Sequence, residues 1–438
     1  MQKKIGIRRE DKNPWERRSP LIPLHVRELI QEHGIDIDIQ SSSNRIFSDE
    51  DFAREGARIV DSLLDCHVVF AVKEIPSHLF EQHKVYIFFS HTIKGQPANM
   101  PMLKKMVELG CTLIDYERII DENGLRLLFF GHQAGQAGMI DTLWALGQRL
   151  SVQSIQNPFS VLKQAFKYPS LVAAKEAISE IGWAIKNEGL NPSLAPLICG
   201  FAGYGHVSKG AQEILSLLPV EELSPDKVEK LFRTKSFAAD RVYKVVFKEE
   251  HMVEAVHKDQ GFDLQDYYDH PDKYRSIFSQ YLPHLTILVN CIFWTPQYPR
   301  LVTKESLEQL WTEESRPRLQ VIGDISCDVE GAIECTVKAT SQSQPVFVFD
   351  PVGEKAVDGL EGRGVVIMAV DNLPAEIPLE SSIFFSQSLK PLVPAIAKAD
   401  YSGSFDQCAL PPSVKKAVIL YRGQFTPEYE YMKNFISN

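Results

Sequence analysis

Leu194-Ala195-Pro196-Leu197-Ile198-Cys199, running on through Gly200-Phe201-Ala202-Gly203-Tyr204-Gly205-His206-Val207-Ser208-Lys209-Gly210-Ala211, reads as a short apolar strand, a glycine-rich turn and a helix extending to Leu217. Glycines at such a turn let the backbone approach a pyrophosphate, which rests on the helix N-terminus where free N–H groups and the macrodipole favour negative charge. The match to G-x-G-x-x-G is imperfect: Gly203 and Gly205 fit, Ser208 stands where the third glycine belongs, and Gly210 follows two positions later. On the motif alone a plain Gly-rich strand-to-helix turn is the alternative. The candidate cradle is Gly203, Gly205, His206, Val207 and Ser208.

Downstream, Pro219-Val220-Glu221-Glu222-Leu223-Ser224-Pro225 offers the residue that would meet the ribose at the end of the next strand. Glu222 there favours NAD, whereas Ser224 with Lys227, Arg233 or Lys235 would accept a 2′-phosphate and favour NADP. Both stay open. Two further apolar runs, from Leu285 to Val289 and from Leu319 to Ile322, end in Asn290 and in Asp324 with Asp328, and both would deliver polar groups to the same carboxyl edge. Either Asp could equally be an N-cap or turn residue.

The first third of the chain carries a similar pattern. His67-Val68-Val69-Phe70-Ala71-Val72-Lys73 and Val85-Tyr86-Ile87-Phe88-Phe89-Ser90-His91 read as buried parallel strands joined by a crossover, which brings Lys73 and His91 to one sheet edge. A desolvated Lys beside a His is a proton-handling pair; the plain alternative is a snorkelling Lys and a loop-capping His. Lys4 to Arg8 and Ile35 to Ile39 flank a helix from Pro23 to His33, opened by proline and stopped by Gly34. A helix from Met102 to Leu109 leads into a strand from Cys111 to Asp115, and the turn Asp121-Glu122-Asn123-Gly124 leads to the apolar run Leu125 to Phe130. The stretch from about Ile140 to Asn187 has a helical period without a site-like cluster, and reads as connecting helices between domains.

With 438 residues and ordinary apolar content the chain is expected to form more than one domain, and its net charge of −10 argues against bulk nucleic-acid or anionic-membrane binding. Small anionic ligands fit better. Cys66, Cys111, Cys199, Cys291, Cys327, Cys335 and Cys408 are widely spaced with no C-x-x-C pair, as reduced core thiols are. No run is long enough for a membrane span and the N-terminus enters a strand directly, so a soluble, cytoplasmic protein without metal is expected.

Several motifs together resemble the lysine-forming saccharopine dehydrogenases, above all the lysine-ketoglutarate reductase half of the aminoadipic semialdehyde synthases, and more distantly the alanine dehydrogenases. They are Ile5-Gly6-Ile7-Arg8-Arg9-Glu10-Asp11 with Trp15-Glu16-Arg17-Arg18, Phe88 to Lys94, Leu113-Ile114-Asp115-Tyr116-Glu117, Gly203 to Ala211, Gly323-Asp324-Ile325-Ser326 and Asp371-Asn372-Leu373-Pro374-Ala375. The resemblance implies reductive joining of lysine and 2-oxoglutarate into saccharopine, with NADPH as cofactor and NADH as the alternative. It places Lys73 and His91 on the family's acid-base pair, Arg18, Arg126 and Phe130 at substrate-binding positions, and Glu117 near the amino group of lysine. Without it, either arginine reads as a surface salt bridge. Gln133 stands where relatives commonly carry an aromatic residue. With the chain ending at Asn438, the saccharopine-oxidising step is expected to belong to another protein.

The expected fold is α/β: two Rossmann-like domains with a cleft between them. Residues 1–150 plus 339–438 are assigned to the substrate domain and 151–338 to the dinucleotide-binding domain with its connecting helices. The expected partners are small molecules alone, with closure excluding water from the reacting imine.

Overall fold

A computed structural model describes residues 4–257, 261–314 and 316–436. They form two compact units, one of residues 1–130 with 378–438 and the other of residues 131–377.

In the first unit, β1 (Lys4–Ile7), β2 (Asp36–Gln40), β3 (Arg58–Val60), β4 (Val68–Phe70), β5 (Val85–Phe88) and β6 (Thr112–Asp115) lie in the spatial order β6-β5-β4-β1-β2-β3, all parallel. This is the doubly wound order, in which the residues following each strand converge on one edge. Its register pairs Ile7 with Phe70, Phe70 with Ile87 and Phe88 with Asp115. The loops that emerge beside one another therefore begin at Arg8, Ala71, Phe89 and Tyr116. The strands are short and β-branched or aromatic because both faces are covered, as the buried Ile5, Ile7, Val68, Phe70, Val85 and Ile87 show. Helix α1 (Pro23–His33) opens on proline and ends at Gly34, whose left-handed φ of 61° lets its N–H cap the carbonyl of Ile30. α2 (Asp49–Arg54) is set by a capping box between Ser48 and Asp51, and α3 (Met100–Glu108) precedes β6.

The second unit opens with α4 (Gly131–Val152) and α5 (Leu171–Glu188), followed by β7 (Leu197–Ala202) and α6 (His206–Leu215). Its sheet then adds β8 (Val220–Leu223), β9 (Val242–Phe247), β12 (Ile287–Asn290), β13 (Val321–Asp324), β14 (Val346–Asp350), β15 (Lys355–Asp358) and β16 (Val365–Met368), while β10 (Val253–Ala255) and β11 (Tyr274–Ser276) pair separately. The order is β15-β14-β16-β13-β12-β7-β9-β8. Back in the first unit, β17 (Val418–Tyr421) pairs antiparallel with β6 and with β18 (Gln424–Phe425). Because β17 fills the place beside β6, the apolar run from Leu125 to Phe130 finds no sheet edge and keeps only an isolated bridge, Ile120 to Arg126.

Two expectations are corrected here. The unit boundaries fall at 130/131 and 377/378, rather than at 150/151 and 338/339. α4 belongs with the second unit because it crosses α6 at backbone distance: a Cβ on Gly135 would lie 1.9 Å from the Val207 carbonyl oxygen, and one on Gly210 would lie 2.0 Å from that of His132. Residues 339–370 stay there because β14 and β16 continue the same sheet next to β13. Gly210 thus does the close-packing work of the missing third glycine, against α4. Gly210→Ala is expected to destabilise the protein by about 1–3 kcal/mol or more in urea melts, since backbone must move to admit the methyl group.

The connecting helices also hold a cluster, contrary to expectation. Asp141 on α4 is fully buried, with Oδ1 accepting from the Ala165 N–H at 2.7 Å, and buried Glu376 accepts from the Phe166 N–H at 3.3 Å. Burial raises Asp141 to about 6, and burial together with the nearby charge of Asp141 raises Glu376 well above the usual range. The folded chain therefore binds more protons than the unfolded chain between the ordinary Asp value of 3.8 and about 6, and this pair loses stability as pH rises through that window. Asp141→Asn should flatten that fall in a series of melting temperatures against pH.

No described helix is long and apolar enough to cross a membrane. All seven cysteines are free thiols, Cys291 and Cys327 half-buried and the rest buried.

Candidate active site

The carboxyl edge of the first sheet gathers charged side chains that burial makes reactive. Glu10, two residues beyond Arg8 in the loop after β1, reaches across to the chain leaving β4, its carboxylate accepting from the N–H of Val72 at 2.7 Å and of Lys73 at 3.1 Å. Burial, then the nearby Glu16, raises Glu10 to about 7 against the hydrogen bonds that lower it. Lys73 is fixed at its backbone by this contact. Burial lowers the pKa of its amine, and the positive charges of Arg18 and Lys12 lower it further.

Arg18 is 2% exposed. Its Nε and Nη2 fork the Glu16 carboxylate at 2.7 and 2.6 Å, and its guanidinium lies 4.4 Å from the centre of the Phe130 ring. Phe130 in turn stacks on Phe385 at 4.8 Å. The surface-salt-bridge reading therefore does not describe Arg18. It does describe Arg126, which is 53% exposed and pairs with Glu117 at 2.5 Å.

His91, three residues beyond β5, adopts a left-handed φ of 46°, a conformation uncommon for a residue with a side chain. Its Nδ1 meets Glu74 Oε1 at 2.7 Å while its carbonyl accepts from Asn99 Nδ2 at 2.9 Å. Burial works to raise Glu74, but the bonds to His91 and Lys12 prevail and lower it to about 2. An ionised Glu74 can only accept, so it fixes the proton on Nδ1 and leaves Nε2 to exchange protons. Lys73 and His91 are thus joined through Glu74, adjacent to one and bonded to the other. Beside them Asp115 is buried and raised to about 6, accepting from the Ser90 hydroxyl and the Glu117 N–H.

The carboxyl edge of the second sheet carries the glycine turn. Gly203 has a φ of 93° and donates its N–H to the Phe247 carbonyl at 2.9 Å, whereas a Cβ on Gly205, the N-cap of α6, would meet nothing within 4 Å. The space over Gly205 suits a pyrophosphate, and the residues present fit a dinucleotide cofactor. Gly205→Val should consequently keep its melting temperature but lose cofactor binding in calorimetry; an unchanged dissociation constant would make the turn structural only. His206 is exposed, Val207 half-buried and Ser208 buried, its hydroxyl accepting from Gln212.

Asn290 and Asp324 stand opposite each other at the ends of β12 and β13. Asp324 is 1% exposed and accepts from Asn290 Nδ2 at 2.8 Å, Thr336 Oγ1 at 2.6 Å and the Cys327 N–H at 3.2 Å. Burial raises it to about 6 against these bonds, which marks it as an anchor for Asn290 and the turn. Asp328 is exposed in that turn.

Glu222 and Ser224 are corrected. β8 lies at the sheet edge and β9 takes the place beside β7, so Glu222 is exposed and pairs with Lys244 Nζ at 2.6 Å while Ser224 opens a short helical turn. The acid next to the glycine turn is Glu249, just past the end of β9. It shares a cavity of about 440 Å³ with Gly203, Tyr204, Gly205, Tyr268 and Trp294, and accepts from the Tyr268 hydroxyl at 2.9 Å. Sequence reasoning missed Glu249, Glu10 and Glu74. For Glu74 the signal was its place next to Lys73; for Glu249 it was Lys248-Glu249-Glu250 closing the apolar run Val242 to Phe247.

The chain matches the alanine dehydrogenase/PNT N-terminal domain over residues 6–137 and the alanine dehydrogenase/PNT C-terminal domain over residues 248–428. It is 38% identical to the alpha-aminoadipic semialdehyde synthase of Arabidopsis thaliana, over 98% of this chain and 41% of that protein. It is 27% identical to a saccharopine dehydrogenase [NAD(+), L-lysine-forming] of Emericella nidulans, over 89% of this chain and 90% of that one. Against the mammalian aminoadipic semialdehyde synthases it also spans less than half of their length, 47% to 48%. Among solved structures, an L-alanine dehydrogenase shares the fold with a TM-score of 0.62 at 17% identity, covering 99% of this chain and 100% of that one.

Proposed function

We propose, from the premise that this chain belongs to the alanine dehydrogenase/PNT family, that it is a nicotinamide-dependent oxidoreductase reversibly joining L-lysine and 2-oxoglutarate into saccharopine. The observation that carries the reading is the group of Lys73, Glu74 and His91 with the buried Arg18 on one sheet edge. In the forward direction the ε-amine of lysine adds to the ketone of 2-oxoglutarate and water leaves, giving an imine; the imine then takes up a hydride and a proton to become a secondary amine. Amine addition needs a proton removed and water loss needs one supplied. Lys73, whose amine burial makes easier to deprotonate, suits the first, and the Nε2 of His91, oriented by Glu74, suits the second. The fixed charge of Arg18 suits an anionic substrate group, and Glu117 the amino group of lysine.

Gly203, Gly205 and Asn290, the last anchored by Asp324, would hold the cofactor, which supplies the hydride. The resemblance favours NADPH, but Glu249 beside the glycine turn supports NADH: a carboxylate accepts from both ribose hydroxyls and repels a 2′-phosphate. Lys227, Arg233 and Lys235 follow β8, away from the strand that flanks the turn.

The experiment is a cofactor-absorbance assay with lysine plus 2-oxoglutarate and, separately, with ammonia plus pyruvate. Oxidation is expected with the first pair alone. Comparable or faster turnover with pyruvate would replace the proposal by an alanine dehydrogenase activity.

A further inference from the structure

At the amino-terminal edge of the second unit's sheet, opposite the glycine turn, lies a cavity of about 510 Å³ ringed by Arg149, Arg316, Arg318 and Arg363 together with Gln153 and Gln320. Arg318 and Gln320 immediately precede β13, Arg363 precedes β16, and Arg149 and Gln153 come from the end of α4. No described Asp or Glu lines it.

Two of these guanidiniums are held by main-chain carbonyls, and Arg318 also lies 5.2 Å from the centre of the Phe232 ring. Arg149, 4% exposed, donates from Nη1 to the Leu360 carbonyl at 2.5 Å and from Nη2 to those of Gly362 at 2.8 Å and Gly364 at 3.0 Å. Arg318 donates from Nη2 to the carbonyls of Leu194 at 3.2 Å and Pro196 at 2.6 Å. In both, the Nε–H is buried and meets no partner among the described residues. A buried N–H without an acceptor costs free energy, and burial lowers the pKa of both guanidiniums, an effect opposed at Arg318 by the charge of Glu314. Arginines pinned by main chain and lining one space are preorganised for an anion that brings several acceptor oxygens.

We propose that this cavity is a second ligand site, separate from the cofactor and substrate edges, which binds an anion of the phosphate class, either free or as the phosphate of a larger molecule. Its oxygens would accept from the guanidinium N–H groups that line the cavity and its charge would offset the arginine ring. Arg316 and Arg363 are exposed at the rim, so their removal leaves the tethered pair and the strands intact.

The test is calorimetry of the full chain with pyrophosphate and with orthophosphate, repeated on the double variant Arg316→Ala, Arg363→Ala and on Gly205→Val, which alters the other phosphate-binding candidate. Saturable binding is expected in the wild type, unchanged in Gly205→Val and weakened at least about tenfold in the arginine variant, as loss of charge-assisted hydrogen bonds predicts. Tighter binding of pyrophosphate than of orthophosphate would identify a phosphate chain as the ligand, and equal binding a single phosphate group. Absence of saturable heat in the wild type, or loss of binding in Gly205→Val, would overturn the proposal. So would full retention in the arginine variant.

Discussion

Lys73→Met and His91→Gln are each expected to lower turnover by about 10²- to 10⁴-fold, the usual cost of removing a positioned general acid or base. Cofactor affinity should change little, because the glycine turn and Glu249 belong to the other unit. The pH profile separates this from a structural effect. Burial and the neighbouring Arg18 lower the pKa of Lys73, so its neutral, proton-accepting form is lost as pH falls through that lowered value. Lys73→Met should flatten the acidic limb. Glu74, held near 2, stays ionised throughout the working range and contributes to neither limb, yet Glu74→Gln should mimic part of the His91 defect by releasing the ring. Near-normal turnover of both variants from roughly pH 6 to 9 would return Lys73 and His91 to structural strand-end residues.

The second large effect is on cofactor choice. Replacing Glu249 with Gln should reduce the preference for NADH over NADPH by about 10- to 100-fold in kcat/KM, the equivalent of a lost hydrogen bond to a charged group with its repulsion of the 2′-phosphate. Glu222→Gln, at the exposed edge strand, should leave the preference unchanged. If Glu222→Gln shifts the preference and Glu249→Gln does not, the ribose assignment moves back to β8.

The contrast between those two glutamates shows what a single chain discloses of its fold. Lys73 and His91 could be placed together from sequence because each ends an apolar run and a crossover joins the runs, which is local information. The glycine turn was equally legible, since strand, turn and helix are contiguous. Which strand lies beside β7 is a different matter: β8 comes next in the chain, but β9 pairs with β7 and pushes β8 to the edge. That choice is a long-range packing outcome, and the residue meeting the ribose changes with it.

The same holds for the boundary between the units. The helical period of residues 140–187 fixed the presence of α4 and α5, but the assignment of α4 depends on Gly135 and Gly210 touching across two helices some seventy-five residues apart in sequence. Arg18 and Arg126 looked alike as candidates, and only burial distinguishes them. One is enclosed with Glu16 and Phe130, the other exposed with Glu117. Nothing in their neighbouring residues encodes that difference. Asp141 and Glu376 are further still from local reading, because their raised pKa values arise only once both are buried together.

The central claim, reductive joining of two small molecules, is tested most directly by identifying the product. The purified chain is incubated with lysine, 2-oxoglutarate and reduced cofactor, and the mixture is resolved by mass spectrometry while cofactor oxidation is followed. The account predicts saccharopine, with both carbon skeletons joined through the ε-nitrogen of lysine, formed in equal amount to the cofactor oxidised. Cofactor oxidation that yields glutamate or another product without the lysine skeleton, or no product at all, would contradict it.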